Sequence, residues 1–216
     1  MKTTIVYVDG YNLYYGLLKG TKAKWLDLVA FSRALLRPDH DIVKVRYFTA
    51  PVKTYPYDAP AIERQNTYLQ ALGALPEVEI SLGFYSKNPT LLPAYEDRCK
   101  ICDVPNNGLV RVVKLEEKRS DVNIATSMLM DAFNQRAESF VLVSGDTDFI
   151  GPVTIVRKDF KKNIIVLNPH SRRSDLAKYA SFYKDIPREL PLHCQLPDAV
   201  PVGLHGRIIH RPDAWR

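Results

Sequence analysis

One stretch constrains the fold of this chain more than any other. Phe140-Val141-Leu142-Val143 is an unbroken apolar run, and it ends at Ser144-Gly145-Asp146-Thr147-Asp148. A short run without polar alternation reads as a strand covered on both faces, as in a parallel sheet flanked by helices. In open α/β sheets, ligands bind just past the carboxyl ends of such strands. Asp146 and Asp148 would stand at that rim. A second run, Ile5-Val6-Tyr7-Val8, delivers Asp9 to the same place. Clustered carboxylates repel, so they share a proton or hold a cation between them, and oxygen donors suit a hard divalent ion.

The rest of the chain alternates in the same way. Strands are expected over Thr3–Val8, Asp41–Thr49, Glu77–Phe84, Ser139–Val143 and Asn163–Leu167. Helices are expected over Leu28–Leu36 behind an Asp27 cap, over Ala59–Leu75 and over Ser120–Phe133 behind a Ser120 cap. Two more are expected, over Asp148–Lys158 and over Ser174–Tyr183 behind a Ser174 cap. Tyr11–Leu18 reads as a short helix or turn. Such alternation argues for a mostly parallel sheet with helices on both faces. Two regions depart from it. Residues 86–107 hold three prolines and a Cys pair and read as an inserted loop. Residues 187–216 carry prolines at 187, 191, 197, 201 and 212 and read as an irregular tail laid over a domain spanning 1–186.

Composition narrows the classes. No apolar run nears the roughly 20 residues that span a bilayer, and Met1-Lys2 leads straight into a strand without a signal-peptide pattern. The expectation is a cytoplasmic protein with no membrane partner, homo-oligomerisation being left open by the sequence. The three cysteines, Cys99, Cys102 and Cys194, argue against a disulfide framework. Thirty Lys and Arg against 24 Asp and Glu give a net charge of +6, a modest surplus that favours a polyanion without establishing one.

Asp121, at the start of the Ser120–Phe133 helix, is the remaining candidate acid. Each acid has a local explanation: Asp121 as helix stabiliser, Asp148 as cap, Asp146 and Asp9 as turn residues. Three separate strand–helix junctions offering acids to one rim weaken those explanations together. The segments Val8-Asp9-Gly10-Tyr11-Asn12-Leu13, Glu117–Ala125 and Ser144-Gly145-Asp146-Thr147-Asp148-Phe149 closely resemble the NYN domain family. That family includes the LabA-like proteins and belongs to the PIN-like nucleases. The resemblance covers about residues 3–185, and its three motifs stand in the family's order.

The resemblance implies a PIN-like three-layer sandwich with an acidic pocket for Mg²⁺ or Mn²⁺. The family's catalytic and metal-binding acids fall on Asp9, Asp121, Asp146 and Asp148, and Asn12 matches the Asn that positions a ligand or a metal-bound water. Thr147 would orient such a water. Arg119-Ser120 departs from the Gly and apolar residue of many relatives. RNA, single-stranded, is the implied partner. Lys118 and Arg119 beside Asp121, and Arg172 and Arg173 after the Asn163–Leu167 strand, supply cations for its phosphates. Tyr11, Tyr14 and Tyr15 beside Asp9 offer stacking surface, with at least one of them expected in the core.

Cys99-Lys100-Ile101-Cys102 has the spacing of half a structural Zn²⁺ site, with Cys194, His193, His170, His205 or His210 as candidate further ligands. The resemblance implies three functions. The first is metal-dependent hydrolysis of RNA. The second is a non-catalytic RNA- or nucleotide-binding regulatory module. The third is a small-molecule enzyme on the same scaffold, such as a pyridine-ring hydroxylase, although no Gly-x-Gly-x-x-Gly fingerprint follows any strand.

Overall fold

A computed structural model describes residues 1–53, 58–93, 109–203 and 206–216. Six parallel strands form the central sheet: β1 (Lys2–Asp9), β2 (His40–Thr49), β3 (Val78–Leu82), then, past a separate two-stranded arm β4 (Phe84–Pro93) and β5 (Leu109–Lys118), β6 (Ser139–Val143), β7 (Asn163–Asn168) and β8 (Phe182–Asp185). The sheet order is β3-β2-β1-β6-β7-β8. Strand order therefore reverses between β1 and β6, and the crevice beyond their carboxyl ends is the place such a topology offers to a ligand.

Strand alternation feeds two cores. Val6 and Val8 of β1, Val141 and Val143 of β6 and Leu167 of β7 point to one face, where they meet α2 (Leu28–Leu35) and α3 (Ala59–Leu72). Ile5, Tyr7, Phe140, Leu142, Ile164 and Val166 point to the other, against α4 (Ser120–Phe133) and α5 (Ile150–Lys158). This two-sided burial is why the strands read as continuous apolar runs. The result is the three-layer α/β sandwich expected from the sequence. Among the described residues, no helix is long and apolar enough to cross a membrane.

Several expected elements are revised. Tyr11–Leu18 becomes a short helix α1 (Gly10–Leu13) followed by a π-helical turn, Tyr14–Leu18. Ser120 does not cap α4: Arg119 takes the cap position at φ 82°, and the Ser120 hydroxyl donates to Glu117 Oε1 at 2.6 Å. The segment Asp148–Lys158 opens with a 3₁₀ turn, Thr147–Phe149, before α5. In place of a helix over Ser174–Tyr183 there is a 3₁₀ turn, Asp175–Lys178, and then β8; Ser174 does cap that turn, accepting from the Leu176 N–H at 3.2 Å. Residues 86–93, expected in a loop, pair antiparallel with Leu109–Lys118, a strand that the sequence did not announce. Proline usually argues against a strand, but both strands of a lone ribbon are edges, where a missing N–H costs little.

The tail is also more regular than expected. It forms α6 (Leu190–His193) and a hairpin of β9 (Ala199–Val202) and β10 (Arg207–His210). Val200, Ile209 and Trp215 join the core cluster over α2 and α3, and Trp25 Nε1 donates to the Pro197 carbonyl at 2.8 Å. Cys194 is buried in the same cluster, and burial pushes its thiol up, so it packs as a small apolar side chain. Cys99, Cys102 and His205 lie outside the described residues.

Candidate active site

In the register of β1 with β6, Val8 faces Val143, so Asp9 and Ser144 leave the sheet side by side. Asp9 is 3% exposed. Its Oδ1 accepts the Asn12 N–H at 2.9 Å and its Oδ2 accepts the Ser144 hydroxyl at 3.0 Å. The Ser144 oxygen accepts the Asp146 N–H at 3.1 Å, and Asp146 Oδ1 accepts the Asp148 N–H at 3.0 Å. Asn12 Oδ1 accepts the Gly145 N–H at 2.8 Å. One unbroken chain of hydrogen bonds thus ties the loop after β1 to the loop after β6. Asn12, expected to position a ligand or a metal-bound water, has its side-chain oxygen engaged in this stitch. Both loops approach their neighbours closely. A Cβ on Gly10 would stand 2.6 Å from the Phe48 carbonyl oxygen, and one on Gly145 would stand 2.3 Å from Asn168 Oδ1.

The acids feel one another. Burial pushes the Asp9 carboxyl up to about 6, the bonds from Asn12 and Ser144 pull it down, and Asp121 and Asp146 push it further up. Asp121 opens to solvent, yet its carboxyl is raised by partial desolvation and by Asp146, Glu117 and Asp148. These couplings gather Asp9, Asp121, Asp146 and Asp148 around one crevice. They also add Glu117, which opens the second of the three motifs but was not counted among the candidate acids; it lies at the end of the unannounced strand β5. Among the described residues, no group of three or more His, Cys, Asp and Glu side chains is so placed that it could hold a metal ion. A closed protein cage is therefore not what this crevice offers. Its oxygen-only donors fit instead a hydrated ion of the Mg²⁺ kind, which keeps several waters and takes one or two carboxylates plus substrate oxygens.

Polar and aromatic groups border the acids. Lys118 pairs with Glu116 at 3.0 Å, and the Arg119 guanidinium lies 4.6 Å from the centre of the Phe84 ring. Thr147, Asp148, Arg172 and Arg173 are exposed. Tyr11, Tyr14 and Tyr15 are all open to solvent, against the expectation that one would be core; Leu13, Leu17 and Leu18 fill that role. The Tyr11 and Tyr15 rings stand 4.5 Å apart, and Lys19 Nζ lies 4.6 Å from the Tyr15 ring centre. Tyr85, at the root of the arm, is raised by burial, with Tyr11 and Tyr15 as its strongest electrostatic neighbours.

A cavity of about 460 Å³ opens beside the Asp146–Asp148 loop, lined by Gly145, Thr147 and the segment that follows β7. Buried Asn168 organises that segment. Its Nδ2 shares two hydrogens among three acceptors, the carbonyls of His170 at 2.9 Å and Arg172 at 3.0 Å and Asp185 Oδ1 at 2.9 Å. Ser144, Glu117, Tyr85 and Asn168 are thus site residues that sequence reasoning missed. Ser144 and Glu117, each the first residue of a motif, had a signal that would have found them; Tyr85 and Asn168 had none.

Comparison with known proteins fits this geometry. Residues 3–186 match the NYN domain. The chain is 29% identical to 6-hydroxy-3-succinoylpyridine 3-monooxygenase of Pseudomonas putida, over 98% of this chain and 75% of that enzyme. A crystal structure of a Vibrio parahaemolyticus protein of unknown function shares the fold, with a TM-score of 0.52 at 18% identity over 86% of this chain and 93% of that one.

Proposed function

The chain belongs to the NYN domain family, within the PIN-like nuclease superfamily, and on that premise we propose that it is a divalent-metal-dependent phosphodiesterase acting on RNA. The observation that carries this reading is buried Asp9 at the strand-order reversal, its carboxyl raised toward neutrality with Asp121 and Asp146 as charged neighbours. A buried acid in such company is costly alone and is relieved by a cation. Asp9 and Asp146 would hold Mg²⁺ or Mn²⁺, with Asp121 and Asp148 reaching it through water. When bound, the ion supplies water activation and charge stabilisation at the leaving oxygen. Asp121, raised and solvent-facing, is suited to accept the proton of the attacking water. Tyr11 and Tyr15 would stack on an unpaired base, while Lys118 and Arg119 border the strand's phosphates.

The test is cleavage of a labelled single-stranded RNA by wild type and Asp146→Asn, each with Mg²⁺, Mn²⁺ or EDTA. The expected result is metal-dependent cleavage that falls by about a hundredfold or more in the variant, a loss of the size seen when one transition-state stabilising group is removed. Equal cleavage by both proteins would identify a contaminant. RNA binding without cleavage under any condition would make the protein a binding module.

A second reading rests on one observation, the relative that is 29% identical over nearly the whole chain and is named a pyridine monooxygenase. In that reading the tyrosine group beside Asp9 would receive a hydroxypyridine ring. Oxygen uptake with 6-hydroxy-3-succinoylpyridine and a two-electron donor such as NADH, absent without the pyridine, would favour it over the nuclease.

A further inference from the structure

The acidic crevice by itself repels a polyanion, so a strand that reaches it needs cations on its flank. The cavity beside Thr147 has that character. Thr147 lies between Asp146 and Asp148 in sequence and also lines the cavity, so the two spaces share a wall. Arg172, Arg173, Ser171 and Ser174 all line it, so it carries two basic residues and two hydroxyl residues. The one acid in the lining, Asp175, is paired with Lys178 at 2.7 Å and has Arg172 as a further, weaker electrostatic partner. Two backbone oxygens that would oppose an anion, those of His170 and Arg172, share the Asn168 side-chain amide as donor.

The segment is also pre-organised. The Ser174 N–H donates to the Tyr183 hydroxyl at 3.0 Å, and the Arg173 guanidinium lies 5.1 Å from the Tyr183 ring centre. A loop held this way loses little freedom when a ligand arrives. Its volume of about 460 Å³ exceeds what a phosphate alone needs and falls in the range of small-ligand pockets. We propose that this cavity is a phosphate subsite, occupied by a phosphate of the RNA strand, with its sugar, a short distance along the chain from the carboxylates. The proposal rests on the phosphodiesterase reading for its ligand, but its test does not depend on cleavage.

Amide NMR spectra of the full chain in EDTA would be followed on adding adenosine, adenosine 5′-monophosphate or the dinucleoside monophosphate ApA. Resonances of Thr147 and residues 171–174 should move with both phosphate compounds and not with adenosine. Movement with the monoester alone would assign the subsite to a strand end, whereas movement with ApA assigns it to an internal phosphodiester. In Arg172→Ala/Arg173→Ala these shifts should vanish, and in Arg172→Lys/Arg173→Lys they should persist in weakened form. The alanine pair should also bind a short single-stranded RNA about tenfold more weakly, with the salt slope reduced by about 0.7 for each phosphate that is no longer neutralised. Both arginines are exposed, so the fold should survive. Unmoved amides with every phosphate probe, or equal shifts in the alanine variant, would overturn the subsite while leaving the nuclease reading standing. Shifts as described in a protein that cleaves no RNA would sustain the subsite and sink the nuclease.

Discussion

The carboxyl rim at β1 and β6 and the β4–β5 arm are built on opposite terms. At the rim the loops are fixed several times over: Asp9, Asn12, Ser144 and Asp146 share one hydrogen-bond chain, and two glycines allow backbone to approach its neighbours closely. The arm is two strands with nothing paired to either edge among the described residues. Leu91 and Leu109 near its far end are 55% and 62% exposed. Its root is anchored, through the Gly83 N–H to the Thr49 carbonyl and through Arg119 over Phe84. A lone two-stranded ribbon is marginal in water, whereas a buried parallel rim is not. The difference teaches where strain is tolerated. The rim gives up stability to hold its acids in position, and the arm has little stability to give.

The sharpest way to break that comparison is Asp9→Asn. An ordinary carboxylate titrates near 3.8, and Asp9 is pushed up to about 6. Its folded form holds a proton longer than the unfolded chain does, so its favourable contribution is complete below pH 3.8 and is lost as pH rises through about 6. The gap amounts to a cost of roughly 3 kcal/mol at neutral pH. Asparagine keeps an acceptor for the Asn12 N–H and requires only that the Ser144 hydroxyl turn. Activity should fall by about a thousandfold, while metal-free Tm at pH 7.5 rises by about 2–8 °C, corresponding to about 1–2 kcal/mol recovered. At pH 4 the two proteins should melt together. A lower Tm for Asp9→Asn at pH 7.5 would mean that the hydrogen bonds outweigh the buried charge.

Gly145→Ala probes the rim through shape alone. Its Cβ would meet Asn168 Oδ1, whose buried side chain is held in place by hydrogen bonds to His170, Arg172 and Asp185. Overpacking of this kind costs about 1–3 kcal/mol, and a shift of about 1 Å in the Asp146 loop is enough to lower turnover about a hundredfold. Thermal melting and kcat measured on one preparation would show both losses. A variant of normal stability and activity would show that the two loops are not rigidly coupled.

How much of this was legible follows the same division. The rim could be read because two-sided burial writes continuous apolar runs, Ile5–Val8 and Phe140–Val143, and because Asp9, Asp121, Asp146 and Asp148 each sit just beyond a strand or at a helix start. The arm could not. Pro89 and Pro93 spoke for a loop, and Val110–Glu117 faces no core that would impose a strict alternation. Glu117 was legible as the start of a motif but not as an acid of the site, because the strand that carries it was not. Tyr85 and Asn168 join the site through tertiary neighbours far away in the chain, for which local sequence carries no signal. β8 was hidden for another reason: Ser174–Tyr183 has a helical cap and spacing, but pairing of Phe182–Asp185 with β7 completes the sheet edge and overrides them.

The smallest effect is expected at the far end of the arm, and it decides whether the contrast with the rim is real. Leu91 and Leu109 share one face of the ribbon, since Leu91 faces Arg111 and Leu109 faces Pro93 in the ladder. Replacing either by Ser removes apolar surface that is already more than half in water, so the change in stability should stay within about 0.5 kcal/mol. Leu142→Ala, in the fully buried strand beside the site, should cost about 2–5 kcal/mol in the same denaturant titration. Cleavage of a short RNA should be unaffected by the arm substitutions, because the acids and the Tyr11–Tyr15 pair lie at the sheet rim and not on the distal ribbon. A loss above about 1 kcal/mol for Leu91→Ser, or a wild-type Tm that climbs with protein concentration, would show that a second copy covers this face. The arm would then be an interface with a core of its own, and the rim would no longer stand alone as the part of the molecule built for position.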